Sequence, residues 1–211
     1  LSPENIVIVG AGPLSGTSIP ASSRCHVYTK FPLTNTVGCG GGPMGFSSRL
    51  KWAGYDEVII TGRAYRPVYL RISDDNVEIL DAKDLWGKDI FEATDEMWNR
   101  HGPANGVICI GQAGENLVKS ALCLIDKNGT VGRFGIGAVM GSKNLKLIVA
   151  GGRHAISIAD KSRYMSIVNE MTKEIENWPI RDEFIKFGHL EYDFDALVRV
   201  TGVTKYYTDD V

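Results

Sequence analysis

Two stretches of the chain concentrate residues able to handle an anion: Gly38-Cys39-Gly40-Gly41-Gly42-Pro43-Met44-Gly45 and Gly129-Thr130-Val131-Gly132-Arg133-Phe134-Gly135-Ile136-Gly137. Ordering so many glycines is costly, because glycine loses more backbone freedom on folding than any other residue. An offsetting gain is close approach of peptide N–H groups to a negative charge, strengthened where such a loop precedes a helix. A guanidinium accompanies each run: Arg133 inside the second, and Arg24 on the strand leading to the first. Two such loops suit a ligand with phosphates at both ends, or two phosphate-bearing ligands. Close backbone packing is the other use of such glycines. Neither run ends in the Gly-Lys-Ser/Thr of a P-loop, and Gly10-Ala11-Gly12 has Ser15 where a dinucleotide fingerprint needs its third glycine.

Other chemistry-bearing residues are scattered. Of His26, His101, His154 and His189, only His26, on the strand beside Arg24, is placed to face such a site. Ser142 and the Ser47-Ser48 pair have no recognisable base partner in the sequence and do not read as hydrolytic nucleophiles. The pairs Asp74-Asp75 and Asp209-Asp210 are turn or terminal charges, and Asp193 with Asp195 marks a solvated helical face. Cys25, Cys39, Cys109 and Cys123 lie far apart without a CxxC pair, which provides neither a zinc knuckle nor an iron-sulfur cassette. Cys109 and Cys123 sit in apolar runs and read as core thiols of a protein in a reducing cytoplasm.

With 211 residues, 44% of them hydrophobic, the chain can bury one substantial core. A net charge of −2 gives no electrostatic reason for a nucleic-acid or anionic-membrane partner. No apolar run approaches the ~20 residues of a membrane span, and no secretion signal opens the sequence. The expectation is a soluble protein. The chain starts at Leu1 and stops after Asp210-Val211 without a closing element, which reads as a piece of a longer polypeptide.

The elements that must position the glycine runs follow from periodicity. Strands are expected at residues 5–10, 25–30, 57–61, 106–110, 120–125 and 145–149. A hairpin spans 68–80, and helices cover 46–53, 90–100 and 159–176. Two stretches follow one script: strand, glycine run, helix, strand. The first takes Val-Ile-Val-Gly-Ala-Gly (7–12) through to Thr-Gly-Arg (61–63), the second Val-Ile-Cys-Ile-Gly-Gln-Ala-Gly (107–114) through to Gly-Gly-Arg (151–153). The expected fold is therefore α+β, an internally duplicated two-layer domain with mixed sheets, with a helical region starting after Gly152.

The sequence resembles the aldehyde:ferredoxin oxidoreductase family. The resemblance rests on Leu1-Ser2-Pro3-Glu4-Asn5, Gly12-Pro13-Leu14-Ser15-Gly16-Thr17, Leu50-Lys51-Trp52-Ala53-Gly54-Tyr55-Asp56 and Trp86-Gly87-Lys88. It continues through Ile110-Gly111-Gln112-Ala113-Gly114-Glu115-Asn116-Leu117-Val118 and the run from Gly135-Ile136-Gly137 to Asn144-Leu145-Lys146. The resemblance implies that residues 1–152 are an amino-terminal pterin-cofactor-binding domain and 153–211 the incomplete start of a helical second domain. It implies a tungsten- or molybdenum-bis-pterin cofactor contacted by Arg24, Gly41, Gly42, Gly129, Thr130, Gly132 and Arg133. A magnesium ion would join the pterin phosphates through the Gly41 and Thr130 carbonyls. The reaction implied is oxidation of a small aldehyde to a carboxylate, with electrons passed through a 4Fe-4S cluster to ferredoxin or another electron-transfer protein. Cluster ligands and catalytic residues would lie in the remaining domains of the same protein, and a homo-oligomer is compatible. None of the catalytic residues falls in this chain, which alone would be inactive. Gly41, Gly129 and Phe134 depart from the family pattern, and they motivate a rival expectation: a cofactor-free scaffold or non-catalytic subunit.

Overall fold

The computed structural model describes residues 1–74 and 76–187. The chain divides into two units, Leu1–Ser157 and a second that begins at Ile158. In the first, β1 (Val7–Ala11), β2 (Cys25–Lys30), β3 (Val37–Gly42) and β4 (Glu57–Ile60) form a four-stranded antiparallel sheet in the order β3-β2-β1-β4. β5 (Val68–Ser73), β6 (Asn76–Asp81), β7 (Gly106–Ile110), β8 (Cys123–Ile125), β9 (Gly129–Thr130) and β10 (Leu145–Gly151) form a six-stranded sheet in the order β6-β5-β10-β7-β8-β9. The helices are α1 (Phe46–Trp52), α2 (Ile90–His101), α3 (Gln112–Glu115) and α4 (Ile136–Ser142).

The duplicated script reappears as duplicated topology. β1 pairs with β2 and β4, β2 pairs with β3, and α1 connects β3 to β4; β7 pairs with β8 and β10, β8 pairs with β9, and α4 connects β9 to β10. The β5–β6 hairpin extends the second copy through a parallel β5–β10 pairing. Only the six-stranded sheet is therefore mixed.

Strand burial reports what lies on each face. β1 and β2 alternate, burying Val7, Val9, Cys25 and Val27 in a core shared with Phe46 and Leu50 of α1, Ile136, Val139 and Met140 of α4, and Ile108, Ile110 and Ile148 of the other sheet. All of β7 is buried, as is β10 up to its last residue. A second core explains this: Val107, Cys109, Leu147 and Val149 on the far face meet Ala93 and Met97 of α2. α2 starts on a capping box in which the Asp89 carboxylate accepts the Glu92 amide and the Glu92 carboxylate accepts that of Asp89.

Two expectations change. The first five residues of the run 38–45, read as loop because of its glycines, belong to β3, since full pairing with β2 outweighs their poor strand propensity. Residues 120–122 are not strand: the Ala121 amide donates to the Val118 carbonyl, and the Ala121 carbonyl accepts from Gly137 in α4. Those backbone groups are spent on a turn and on the neighbouring helix.

The described part of the second unit holds α5 (Lys161–Glu176), capped by the Asp160 carboxylate on the Arg163 amide, and α6 (Arg181–Phe187). Asp193, Asp195, Asp209, Asp210 and His189 lie outside the described residues.

Candidate functional site

The two glycine runs meet. A Cβ on Gly40 would stand 1.9 Å from the Val131 carbonyl oxygen, one on Gly42 2.8 Å from that of Thr130, and one on Gly129 2.5 Å from that of Pro43. These glycines let β3 and the stretch around β9 touch backbone to backbone, so Gly42 and Gly129 are committed to that approach. Asp126, just before β9, fastens the contact: its carboxylate accepts from the Gly45 amide at 3.0 Å and the Val107 amide at 2.7 Å. Gly45 is the residue from which α1 starts. An anion therefore does sit at the start of that helix, and it is the protein's own carboxylate. Burial raises the Asp126 pKa, partly countered by the two amides and by Arg49.

The outer face of the four-stranded sheet is different. Register places Glu57, Gly10, His26 and Gly41 in one row across β4, β1, β2 and β3, and Ile59, Ile8, Tyr28 and Cys39 in the next. His26 thus lies between two glycines. At Gly41 an added Cβ would stand 2.8 Å from the His26 ring and 3.0 Å from Arg24 Nε, so the missing side chain lets both lie low over β3. Arg24 is exposed and donates from one guanidinium nitrogen to the Gly41 carbonyl at 2.7 Å. The exposed Cys39 stands directly opposite Tyr28 across β2 and β3 and raises the Tyr28 pKa, while its thiol lies 3.6 Å from the Gly40 carbonyl.

Of the remaining sequence-predicted positions, Thr130 and Arg133 are exposed and Gly132 half-buried at the end of β9. Thr130 Oγ1 accepts from the Gly132 amide at 3.1 Å, and Gly132 takes a left-handed φ of +93°. Phe134 stacks on Phe31 at 5.0 Å between ring centroids, anchoring this loop beside the end of β2. The structure thus joins Arg24 to Gly41, Gly42 to Thr130 and Gly129 to the first run.

The exposed Arg24 beside the open outer face has the chemistry to take a planar, phosphate-bearing ligand such as a pterin, and the exposed Arg133 offers a second guanidinium. Of the two carbonyls expected to hold magnesium, that of Gly41 accepts from the Arg24 guanidinium. The Thr130 oxygen lies close over Gly42. Among the described residues no group of three or more His, Cys, Asp and Glu could hold a metal ion.

Sequence reasoning missed the buried charges behind this arrangement. Lys143 donates to the carbonyls of Pro3 and Gly62, at 2.9 and 3.0 Å. Lys146, fully buried, pairs with Glu115 and donates to the Lys88 carbonyl, while Glu115 also accepts the Gly87 amide. A signal was present, since both lysines interrupt an otherwise apolar run. Ser47 and Ser142 donate to the carbonyls of Ser23 and Val139 and meet no base. His101 meets the Tyr69 hydroxyl at 3.2 Å, its pKa lowered by burial and by nearby arginines. No helix among the described residues is long and apolar enough to cross a membrane.

Residues 1–152 match the family model described as aldehyde ferredoxin oxidoreductase, N-terminal domain. The chain is 44% identical over 181 residues to the tungsten-containing aldehyde ferredoxin oxidoreductase of Pyrococcus furiosus, covering 85% of this chain and 30% of the relative. It is 42% identical over 181 residues to the Thermococcus kodakarensis enzyme of that name, with the same coverage. An aliphatic sulfonate oxidoreductase, WOR-like subunit, of Pyrococcus furiosus is 34% identical over 189 residues, 83% of this chain and 30% of the relative. Among solved structures, the active site complex BamBC of benzoyl coenzyme A reductase with 1,5-dienoyl-CoA superposes with a TM-score of 0.80 at 37% identity, over 83% of this chain and 27% of that one. The chain spans about 30% of the length of the curated relatives it matches.

Proposed function

Since the chain belongs to the aldehyde ferredoxin oxidoreductase family through its amino-terminal domain, we propose that residues 1–152 form one wall of a metal-pterin site, with 153–211 starting the next domain. The complete protein would be a cytoplasmic enzyme that oxidises an aldehyde to a carboxylate. The observation that carries this reading is the guanidinium of Arg24, bonded to the Gly41 carbonyl of the first glycine run at the rim of an open sheet face.

Bound there, a tungsten or molybdenum bis-pterin would supply the redox chemistry: the aldehyde gains one oxygen from water and loses two electrons, which leave through a 4Fe-4S cluster to ferredoxin. The chain's own residues bind and orient. Arg24 and Arg133 offer guanidinium donors to phosphate, and four of the five N–H groups of Arg24 remain after its bond to Gly41. In the loop anchored by the Phe31–Phe134 stack, the Val131 and Gly132 amides already donate to the Cys123 carbonyl and the Thr130 hydroxyl, so its offer to phosphate rests on Arg133. Relatives named for a sulfonate and for benzoyl coenzyme A share this domain, which supports substrate choice by residues outside it.

The test is tungsten, molybdenum and pterin content of the full-length protein purified anaerobically from cells given both metals. Stoichiometric metal with pterin is expected. Absence of both would favour a cofactor-free scaffold, for which the close packing at Gly42 and Gly129 speaks.

A further inference from the structure

The duplicated halves treat one sheet face in opposite ways. In the second copy α2 covers the far face of β7 and β10, burying Cys109 and Leu147. In the first copy no described element of the unit buries the corresponding face: Tyr28 is 44% exposed, Ile59 58% and Val37 80%. Apolar surface of this kind calls for a cover. The centre of the face is polar, however, with His26 between Gly10 and Gly41, its ring 6.4 Å from that of Tyr28, and Tyr28 paired with Cys39 in the adjoining row. Imidazole, phenol and thiol side by side offer both donors and acceptors above a flat glycine floor. A partner helix would leave these groups without partners, whereas a planar heterocycle edged with N–H, NH₂ and C=O groups would satisfy them.

We propose that His26, Tyr28 and Cys39 are side-chain contacts of the metal-pterin group, continuing from Arg24 across the face, and that the Cys39 thiol is shielded when that group is bound. This assignment rests on the reading given under Proposed function. It turns an accessible thiol into a reporter of occupancy. The other three cysteines supply internal controls: they are buried, and burial pushes the thiols of Cys25 and Cys109 up to about 12 and that of Cys123 up as well. Reaction with an alkylating agent needs the thiolate and access to it, and these three lack both.

The experiment compares full-length protein from cells given tungstate and molybdate with protein from cells depleted of both. Each sample is pulsed with N-ethylmaleimide and mapped by peptide mass spectrometry, with metal content measured in parallel. Cys39 is expected to react at least ~10-fold faster in the metal-free protein, while Cys25, Cys109 and Cys123 stay unlabelled in both. Equal labelling of Cys39 in the two samples, or none in either, with metal present in the first, overturns this assignment and leaves the proposed function standing. Absence of metal and pterin from both samples overturns the proposed function and this assignment with it.

Discussion

Asp126 holds Gly45: its carboxylate accepts the amide from which α1 starts, while its other oxygen accepts the amide of Val107 in β7. One side chain thereby ties the end of the first glycine run to the sheet carrying the second. Asp126→Ala leaves two amides without their acceptor, and a decrease in unfolding free energy of about 1–3 kcal/mol is expected in urea titrations. Asp126→Asn keeps the shape but turns an N–H donor toward one amide, so it too should destabilise. The pH dependence has a definite sign. The folded pKa is raised, so between the unfolded value and the folded one the native state binds more protons. Stability conferred by this group then falls as pH rises. The advantage of wild type over Asp126→Asn should shrink from about pH 4 upward; a widening gap would contradict the burial-dominated assignment.

Lys146 and Glu115 make a second prediction, because both are buried and each also serves a backbone group, the Lys88 carbonyl and the Gly87 amide. Removing one charge strands the other in a low-dielectric interior. Lys146→Met should cost about 3–5 kcal/mol, and combining it with Glu115→Gln should recover part of that loss. A double mutant no better than the sum of the singles would show that the pair is not coupled.

What could be read in the sequence is largely what local periodicity encodes. β1, the β5–β6 hairpin, α2 and the duplicated order of elements follow from apolar spacing and turn residues. β3 was hidden because its identity as a strand comes from pairing with β2 and from backbone contact with residues 130 and 131. The same holds for the site. Arg24 and the glycine runs announce themselves by type, whereas Asp126 and Lys143 act on amides and carbonyls tens of residues away. Tyr28 and Cys39 become a pair only once β2 and β3 are in register.

The glycines of β3 should separate by function. Gly40 faces the Val131 carbonyl, so Gly40→Ala forces a backbone shift and should lower stability by about 3 kcal/mol, at the upper end of overpacking costs. The atoms nearest a Cβ at Gly41 belong to the side chains of His26 and Arg24. Gly41→Ala can be absorbed by moving them, and should change stability by no more than about 1 kcal/mol while lowering metal and pterin content. Calorimetry and elemental analysis of the two variants check this; equal destabilisation would assign both glycines to packing alone.

Arg24 is exposed, and its described hydrogen bond is to the Gly41 carbonyl, so stability has little stake in it. Arg24→Ala should shift unfolding free energy by about 0.5 kcal/mol or less. If the guanidinium serves phosphate, the same variant should purify with much reduced metal and pterin. Arg24→Lys tests the geometry: a lysine keeps the charge but cannot present the planar fork, and it should restore cofactor content only in part. Arg133→Ala, in the second glycine run, should act in the same direction, and the double variant should lose more than either single. Full metal and pterin content in Arg24→Ala would remove this arginine from the site and leave its bond to Gly41 as a structural tie of β3.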